Sequence, residues 1–180
     1  MELKKAQRIA NSIVEKLSPY CEDGKCLIAG SVRREKADVK DIEIICIPKA
    51  NQKNIFGVTL LAIGLIVKGK VNGRYMKVIM HELGFAIDIF MPQPEDFYRQ
   101  LAIRTGDSSY SHNVIATGWV KKGWVGTDDG LRRRNECALV GGTKKVWKAL
   151  NGQTKPPVWQ SEQEFFQWLG VDYKEPKDRV

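Results

Sequence analysis

The sequence lacks a cysteine arrangement that would hold zinc, and it lacks a disulfide framework. Of its four cysteines (Cys21, Cys26, Cys46, Cys137), Cys21 and Cys26 are separated by four residues, but no second Cys or His pair completes a site. Cys26 and Cys46 sit in apolar, strand-like runs and read as buried thiols, so a reducing cytosol, bacterial or viral, is the expected setting, with the nucleus left open. The opening stretch does not read as a leader either: Met1-Glu2-Leu3-Lys4-Lys5 is expected to open an amphipathic helix and carries no apolar signal region. The apolar run from Ile55 to Val67 contains two glycines and, at thirteen residues, is too short to span a bilayer core of about 30 Å. Zinc modules, disulfide-stapled secreted domains and membrane-spanning proteins are thereby excluded as readings.

What the chain does have is an ordinary apolar fraction and an excess of positive charge. Its 180 residues suit one domain with at most a small appended lobe. The net charge of +8 is uneven: residues 101–150 carry nine Lys or Arg against four Asp or Glu. A polyanion such as nucleic acid is the natural partner of such a surface.

The most informative stretch is Gly30-Ser31-Val32-Arg33-Arg34-Glu35, which follows the apolar run Cys26-Leu27-Ile28-Ala29. A strand that opens through Gly-Ser into a turn or helix leaves backbone N–H groups free, and these, with the Ser31 hydroxyl, suit a phosphate. Arg33 and Arg34 add planar forks that match phosphate oxygens. Asp41 and Glu43 then stand two apart in the isoleucine-rich run Asp41-Ile42-Glu43-Ile44-Ile45-Cys46-Ile47. In a strand this spacing puts both carboxylates on one face. Two ionised carboxylates held that close repel each other, and a hard divalent cation relieves the repulsion. Either half alone reads as a solvated edge or a basic turn. Together they point to metal-assisted nucleotidyl transfer.

The rest of the chain supplies the surrounding elements. Leu3, Ala6, Ile9, Ala10, Ile13, Val14 and Leu17 predict an amphipathic helix over 2–17, ended by Ser18-Pro19. A helix over 52–67 with a kink at Gly64, a hairpin from Leu65 to His81 turning at Asn72-Gly73, and a strand Phe85–Phe90 follow. Asp88 is anomalous inside that last strand, since aspartate is disfavoured there. Asp107 or Ser108 caps a helix that runs to Lys122 and stops at Gly123. Two short strands flank an Asp-Gly turn at Asp129-Gly130, and Arg132, Arg133 and Arg134 come next. These arginines either contact a phosphate backbone or protect a solvated edge strand. Lys144, Lys145 and Lys148 are expected on a short helix that extends the same basic patch, and Ser161-Glu162-Gln163-Glu164 is a capping box opening a final helix.

Gly30-Ser31 with a carboxylate pair beginning eleven residues after the glycine resembles the signature of DNA polymerase β-type nucleotidyltransferases. Gly30-Ser31-Val32-Arg33-Arg34, Thr105-Gly106 before a helix, and the tail Tyr173-Lys174-Glu175-Pro176-Lys177-Asp178-Arg179 are similar to family X DNA polymerases in particular. The resemblance covers nearly the whole chain in the right order. It implies an α+β fold: a polymerase β-like palm over residues 1–100, a mixed sheet with flanking helices, and a small C-terminal α/β lobe over 101–180 that binds nucleotide and DNA. It also implies a minimal form without the N-terminal lyase domain, in which no lysine takes a lyase role.

By the same resemblance Asp41, Glu43 and Asp88 would hold two Mg²⁺ ions, with Mn²⁺ as a substitute, and Asp88 would lie nearest the primer 3′-hydroxyl. Asp88 is placed in that cluster by the family pattern rather than by the sequence. Glu43 departs from the commoner Asp, but its longer side chain can still ligate. Gly30, Ser31, Arg34 and Arg33 would bind the β and γ phosphates of a dNTP. Thr105 and Gly106 would line the sugar and base pocket. The family's aromatics before Thr-Gly are replaced by Ile103-Arg104, and its minor-groove Asn falls on Ser111, with Asn113 close by. Arg132, Arg133, Arg134, Lys144 and Lys145 would contact DNA, and the tail would lock the last lobe. The expected activity is templated filling of short gaps in primer-template DNA by a monomer. Untemplated nucleotidyl transfer to DNA ends, RNA or a small acceptor is the alternative, and an inert nucleic-acid-binding protein is a third reading.

Overall fold

The structure, a computed structural model, describes residues 1–150 and 154–180. Its centre is a five-stranded mixed sheet of β1 (Cys21–Ile28), β2 (Ile42–Pro48), β3 (Gly64–Gly69), β4 (Tyr75–Met80) and β5 (Ala86–Phe90). The strand order is β1-β2-β5-β4-β3, with β2 and β5 parallel and the other neighbours antiparallel. The two central strands, β2 and β5, are almost continuously apolar because both of their faces are covered.

Helix α1 (Leu3–Leu17) has the predicted length and buries Ala6, Ala10, Ile13 and Leu17 on one face of the sheet. Helix α3 (Lys53–Ile63) packs beside it through Phe56 and Leu60. The other face is covered by α4 (Phe97–Thr105), whose Phe97 and Leu101 meet Ile45 and Ile47 of β2. This helix was not anticipated, and it runs across residue 100 to pack also against α7 (Glu162–Leu169). Among the described residues no helix is long and apolar enough to cross a membrane.

Several expected boundaries move. The helix expected over 52–67 ends at Ile63, because Gly64 and Leu65 are drawn into pairing with Met80 and Ile79. The hairpin turn is centred on Val71-Asn72 and closed by the Gly73 N–H donating to the Lys70 carbonyl at 2.8 Å, so Asn72-Gly73 is not the central pair of a two-residue turn. Strand β1 begins at Cys21, with an irregularity between Cys21 and Cys26.

The C-terminal region holds three short helical pieces, α5 (Ser108–Tyr110), a π-helical segment over Ser111–Ala116 and α6 (Thr117–Lys121), closed by Gly123 at φ +78°. Asp107 caps the first piece by accepting from the Tyr110 N–H at 2.7 Å. Then come the hairpins β6 (Trp124–Thr127) with β7 (Gly130–Arg133), and β8 (Cys137–Val140) with β9 (Val146–Ala149). The helix expected for Lys144, Lys145 and Lys148 is therefore wrong. Lys148 lies on β9, and Lys144 and Lys145 lie in the connection before it, because Val146 and Trp147 find a partner strand in Cys137–Val140. In α7 the Ser161 hydroxyl accepts from the Glu164 N–H at 3.1 Å, and Glu164 reaches back to accept from the Gln160 N–H at 2.7 Å.

The chain's last turn is tied into this core. Arg179 is fully buried; its Nη1 donates to Glu162 Oε1 at 2.6 Å and its Nε to the Lys174 carbonyl at 2.8 Å. Its guanidinium lies over the rings of Phe166 and Tyr173. Glu162 also accepts from Arg33 at 2.5 Å, so one buried carboxylate joins the tail to the segment after Gly30-Ser31. Removing one partner of such a group leaves a buried charge short of a partner, at a cost of about 3–5 kcal/mol. Arg179→Met is expected to lower unfolding stability by that order in urea titrations, and Glu162→Gln/Arg179→Met together by less than the sum. An unchanged urea midpoint in Arg179→Met would contradict the role given to this pair.

Candidate active site

Parallel pairing of β2 and β5 sets Glu43 directly opposite Asp88. Neighbouring strands lie about 4.8 Å apart and paired residues point to the same side, so the two carboxylates share one face of the sheet. This placement of Asp88 beside the Asp41–Ile47 run was expected from family resemblance alone, and here the register provides it. Asp41 falls one residue before β2 begins, so strand alternation does not fix it; it lines the same cavity as Glu43, Ser31 and Arg34.

Gly30 fits its position for a local reason. Its φ is +63°, and a Cβ there would stand 2.0 Å from Glu43 Oε2. The glycine therefore lets the turn approach the carboxylate while taking a backbone conformation that other residues adopt only under strain. Ser31 follows at the start of α2 (Gly30–Arg33), with a buried hydroxyl that has no protein partner. Arg34 donates from Nη1 to the Thr105 carbonyl at 2.6 Å, and its Nε is buried without a partner. Ser31 and Arg34 line a cavity of about 500 Å³ with Lys36, Lys40, Asp41 and Glu43. Unpartnered buried donors beside cations suit an anionic ligand.

Arg33 behaves differently from its neighbour. Its guanidinium donates to Thr105 Oγ1 at 2.7 Å and to Glu162 at 2.5 Å, which commits it to holding the two halves of the chain together. Thr105 is fully buried as the acceptor of both arginines, and Gly106 is held tight because a Cβ there would meet Ser111 Oγ at 2.7 Å. Ser111 donates that hydroxyl to the Ile103 carbonyl at 2.8 Å, whereas Asn113 is exposed and bonded to Ser109. Arg132 is buried and donates to the Leu131 carbonyl, while Arg133 and Arg134 are exposed. Lys144 and Lys145 are exposed as expected.

Sequence reasoning missed the groups that surround Asp88. The Tyr75 hydroxyl donates to Asp88 Oδ1 at 2.5 Å, and Lys77 Nζ lies 3.6 Å from the same oxygen. Lys77 is the cross-strand partner of Asp88, and Tyr75 precedes it by two on β4, so period-2 alternation along Tyr75–Met80 was the signal available. Arg104 lies over the Phe90 ring at 3.9 Å and lines a second cavity, of about 530 Å³, with Glu43, Tyr75 and Asp88. Glu43 thus stands between two cavities, one lined by Ser31 and Arg34 and the other by Asp88 and Arg104.

Compared with known proteins, the chain matches no family model and no curated sequence.

The electrostatics follow from the crowding. Burial and the neighbouring Asp41 push the Glu43 carboxyl up to about 7, with Asp88 adding to the rise and Arg104 and Arg34 opposing it. Burial lowers the pKa of Arg104, and Glu43 and Asp88 act against that fall. The Tyr75 phenol is pushed up to about 12 by burial and by its bond to Asp88, so it stays a donor. Among the described residues no three His, Cys, Asp or Glu side chains form a group that could hold a metal ion as they stand. The donor chemistry nonetheless fits a hard divalent cation: the carboxylates of Asp41, Glu43 and Asp88 offer oxygen only, and Asp41 and Asp88 raise the proton affinity of Glu43.

A carboxyl whose folded pKa is raised gives stability that is complete below its unfolded value near 4.5 and lost as pH rises through about 7. Glu43→Gln is therefore expected to raise thermal stability at pH 8 in a chelator, by up to about 2–3 kcal/mol, and by little at pH 5. Thermal melts of the two proteins at both pH values check this. Equal melting shifts at pH 5 and pH 8 would contradict an ionisable, crowded Glu43.

Proposed function

We propose that the chain is a DNA-directed DNA polymerase of the family X type, with a nucleotidyltransferase palm, acting on short gaps in primer-template DNA. The observation that carries this is one arrangement: the Gly30 turn packed on Glu43, which is itself the register partner of Asp88. It joins an anion-binding corner to a carboxylate pair across a single strand, as nucleotidyl transfer from a dNTP requires.

In this reading the triphosphate lies against the Ser31 hydroxyl and the Arg34 Nε, buried donors with no protein partner, with Lys36 and Lys40 adding charge. Asp41, Glu43 and Asp88 would hold Mg²⁺, or Mn²⁺ in its place; bound there, the ions supply Lewis-acid stabilisation of charge on the transferring phosphoryl group. Tyr75 and Lys77 orient Asp88 so that one carboxylate oxygen is fixed and the other is left to accept the proton of the primer 3′-hydroxyl. Arg33 does not touch the nucleotide; it holds α2 against Thr105 and Glu162 so that Ser31 and Arg34 keep their aim.

Untemplated transfer is favoured by two particulars. Ser111, at the position of the family's minor-groove asparagine, donates its hydroxyl to the chain's own backbone, and Arg104 occupies the cavity beside Asp88. Primer extension on a one-nucleotide-gapped duplex, with each dNTP and rNTP offered singly in Mg²⁺, separates the two. Incorporation that follows the template base is expected, and addition that ignores it would support untemplated transfer. Asp88→Asn is expected to lower the rate by about 10²–10⁴-fold while leaving dNTP binding largely intact. A variant as active as the parent would remove Asp88, and the reading with it.

A further inference from the structure

The β6–β7 hairpin borders cavities at both of its ends. Its turn, Thr127 to Gly130, lines the one that holds Glu43 and Asp88. Its other end, at Gly123 and Arg133, lines a separate open groove of about 750 Å³ together with Arg134, Cys137 and Trp147. Strands of four residues, rising about 3.3 Å each, put roughly 13 Å between the two.

That groove is cationic and aromatic at once. Arg133 lies over the Trp124 ring at 4.3 Å, and Arg134 over the Trp147 ring at 5.5 Å. Lys144, Lys145 and Lys148 are exposed on the β8–β9 hairpin that carries Trp147. The carboxylate of Glu136 is held by Thr154, from its N–H and its hydroxyl, both at 2.6 Å. Of the five tryptophans, Trp119, Trp124, Trp159 and Trp168 belong to one core cluster around α7, whereas Trp147 belongs to no core cluster and stays partly exposed. A large aromatic left out of the core beside Arg133 and Arg134, on a hairpin with exposed lysines, is the composition of a single-strand binding surface, where bases stack and phosphates meet Lys and Arg.

We propose that this groove binds single-stranded nucleic acid, an unpaired strand leading from the active site, with one base stacked at Trp147 and its phosphates against Arg134 and the hairpin lysines. A duplex is disfavoured as the occupant because its base faces are already stacked. The direction of the strand rests on the polymerase reading; the groove's own chemistry does not.

Fluorescence anisotropy of a labelled oligo(dT) with the intact protein tests it. Trp147→Ala is expected to weaken binding by about 5- to 150-fold, the equivalent of one stacked base. Trp147→Phe, which keeps a stacking ring, is expected to bind nearly as the parent does but to lose part of the tryptophan quenching seen on binding. Lys144→Ala/Lys145→Ala is expected to flatten the dependence of affinity on salt. Parent-like binding by Trp147→Ala, or quenching unchanged in Trp147→Phe, would overturn the proposal, as would equal Trp147-dependent binding of an acidic peptide. Trp147-dependent binding of oligo(dT) without any nucleotide incorporation would remove the polymerase reading and leave this groove standing. Templated incorporation with Trp147-independent binding would do the reverse.

Discussion

Two carboxylates on adjacent central strands repel each other, and the register of β2 with β5 leaves Glu43 and Asp88 no choice but to be neighbours. Much of the surrounding detail answers that repulsion. Tyr75 and Lys77 reach Asp88 from β4, Arg104 stands in the same cavity over Phe90, and Glu43 takes up a proton more readily than an ordinary glutamate. A hydrophobic pair at these two positions would satisfy the sheet better. Keeping the carboxylates there makes physical sense for a site that handles a positive ion and an anionic ligand together, and the glycine that admits Glu43 also places the Ser31 hydroxyl beside it.

A second constraint links this site to the far end of the chain. Arg33 and Arg34 both reach Thr105, Arg33 continues to Glu162, and Glu162 continues to Arg179. The orientation of the Gly30-Ser31 turn thus depends on α4, α7 and the last turn of the chain. Of two consecutive arginines, one is consumed by this clamp, and the other keeps a donor free beside Ser31. The tail that resembles family X polymerases has a mechanical part here: it fixes, through Glu162 and Arg33, the helix that carries Ser31.

Much of the fold was legible because local signals were strong. The 3.6-residue period of Leu3–Leu17, the caps at Asp107 and Ser161, and the apolar run around Asp88 each survive in the structure. Lys144–Lys148 misled because its charges suggest a solvated helix, while Val146 and Trp147 make a strand once Cys137–Val140 is available to pair with them. The helix Phe97–Thr105 was hidden by its mixture of aromatic and basic residues, which are buried on two sides rather than one. Within the site, Gly30, Ser31, Asp41, Glu43 and Asp88 were readable from spacing and resemblance. The commitment of Arg33 to a partner 129 residues away, and the bond from Tyr75 to Asp88, depend on tertiary placement that no spacing rule encodes.

The central claim is that Glu43 and Asp88 together form a cation site whose charge is set by their proximity. Titration of the protein with Mn²⁺, followed by the paramagnetic resonance signal of the free ion, tests it most directly. Saturable binding at pH 8 that weakens toward pH 6 and is lost in both Glu43→Gln and Asp88→Asn is the result this account requires. Binding that survives in both variants, or that is absent from the parent protein with and without a dNTP, would contradict it.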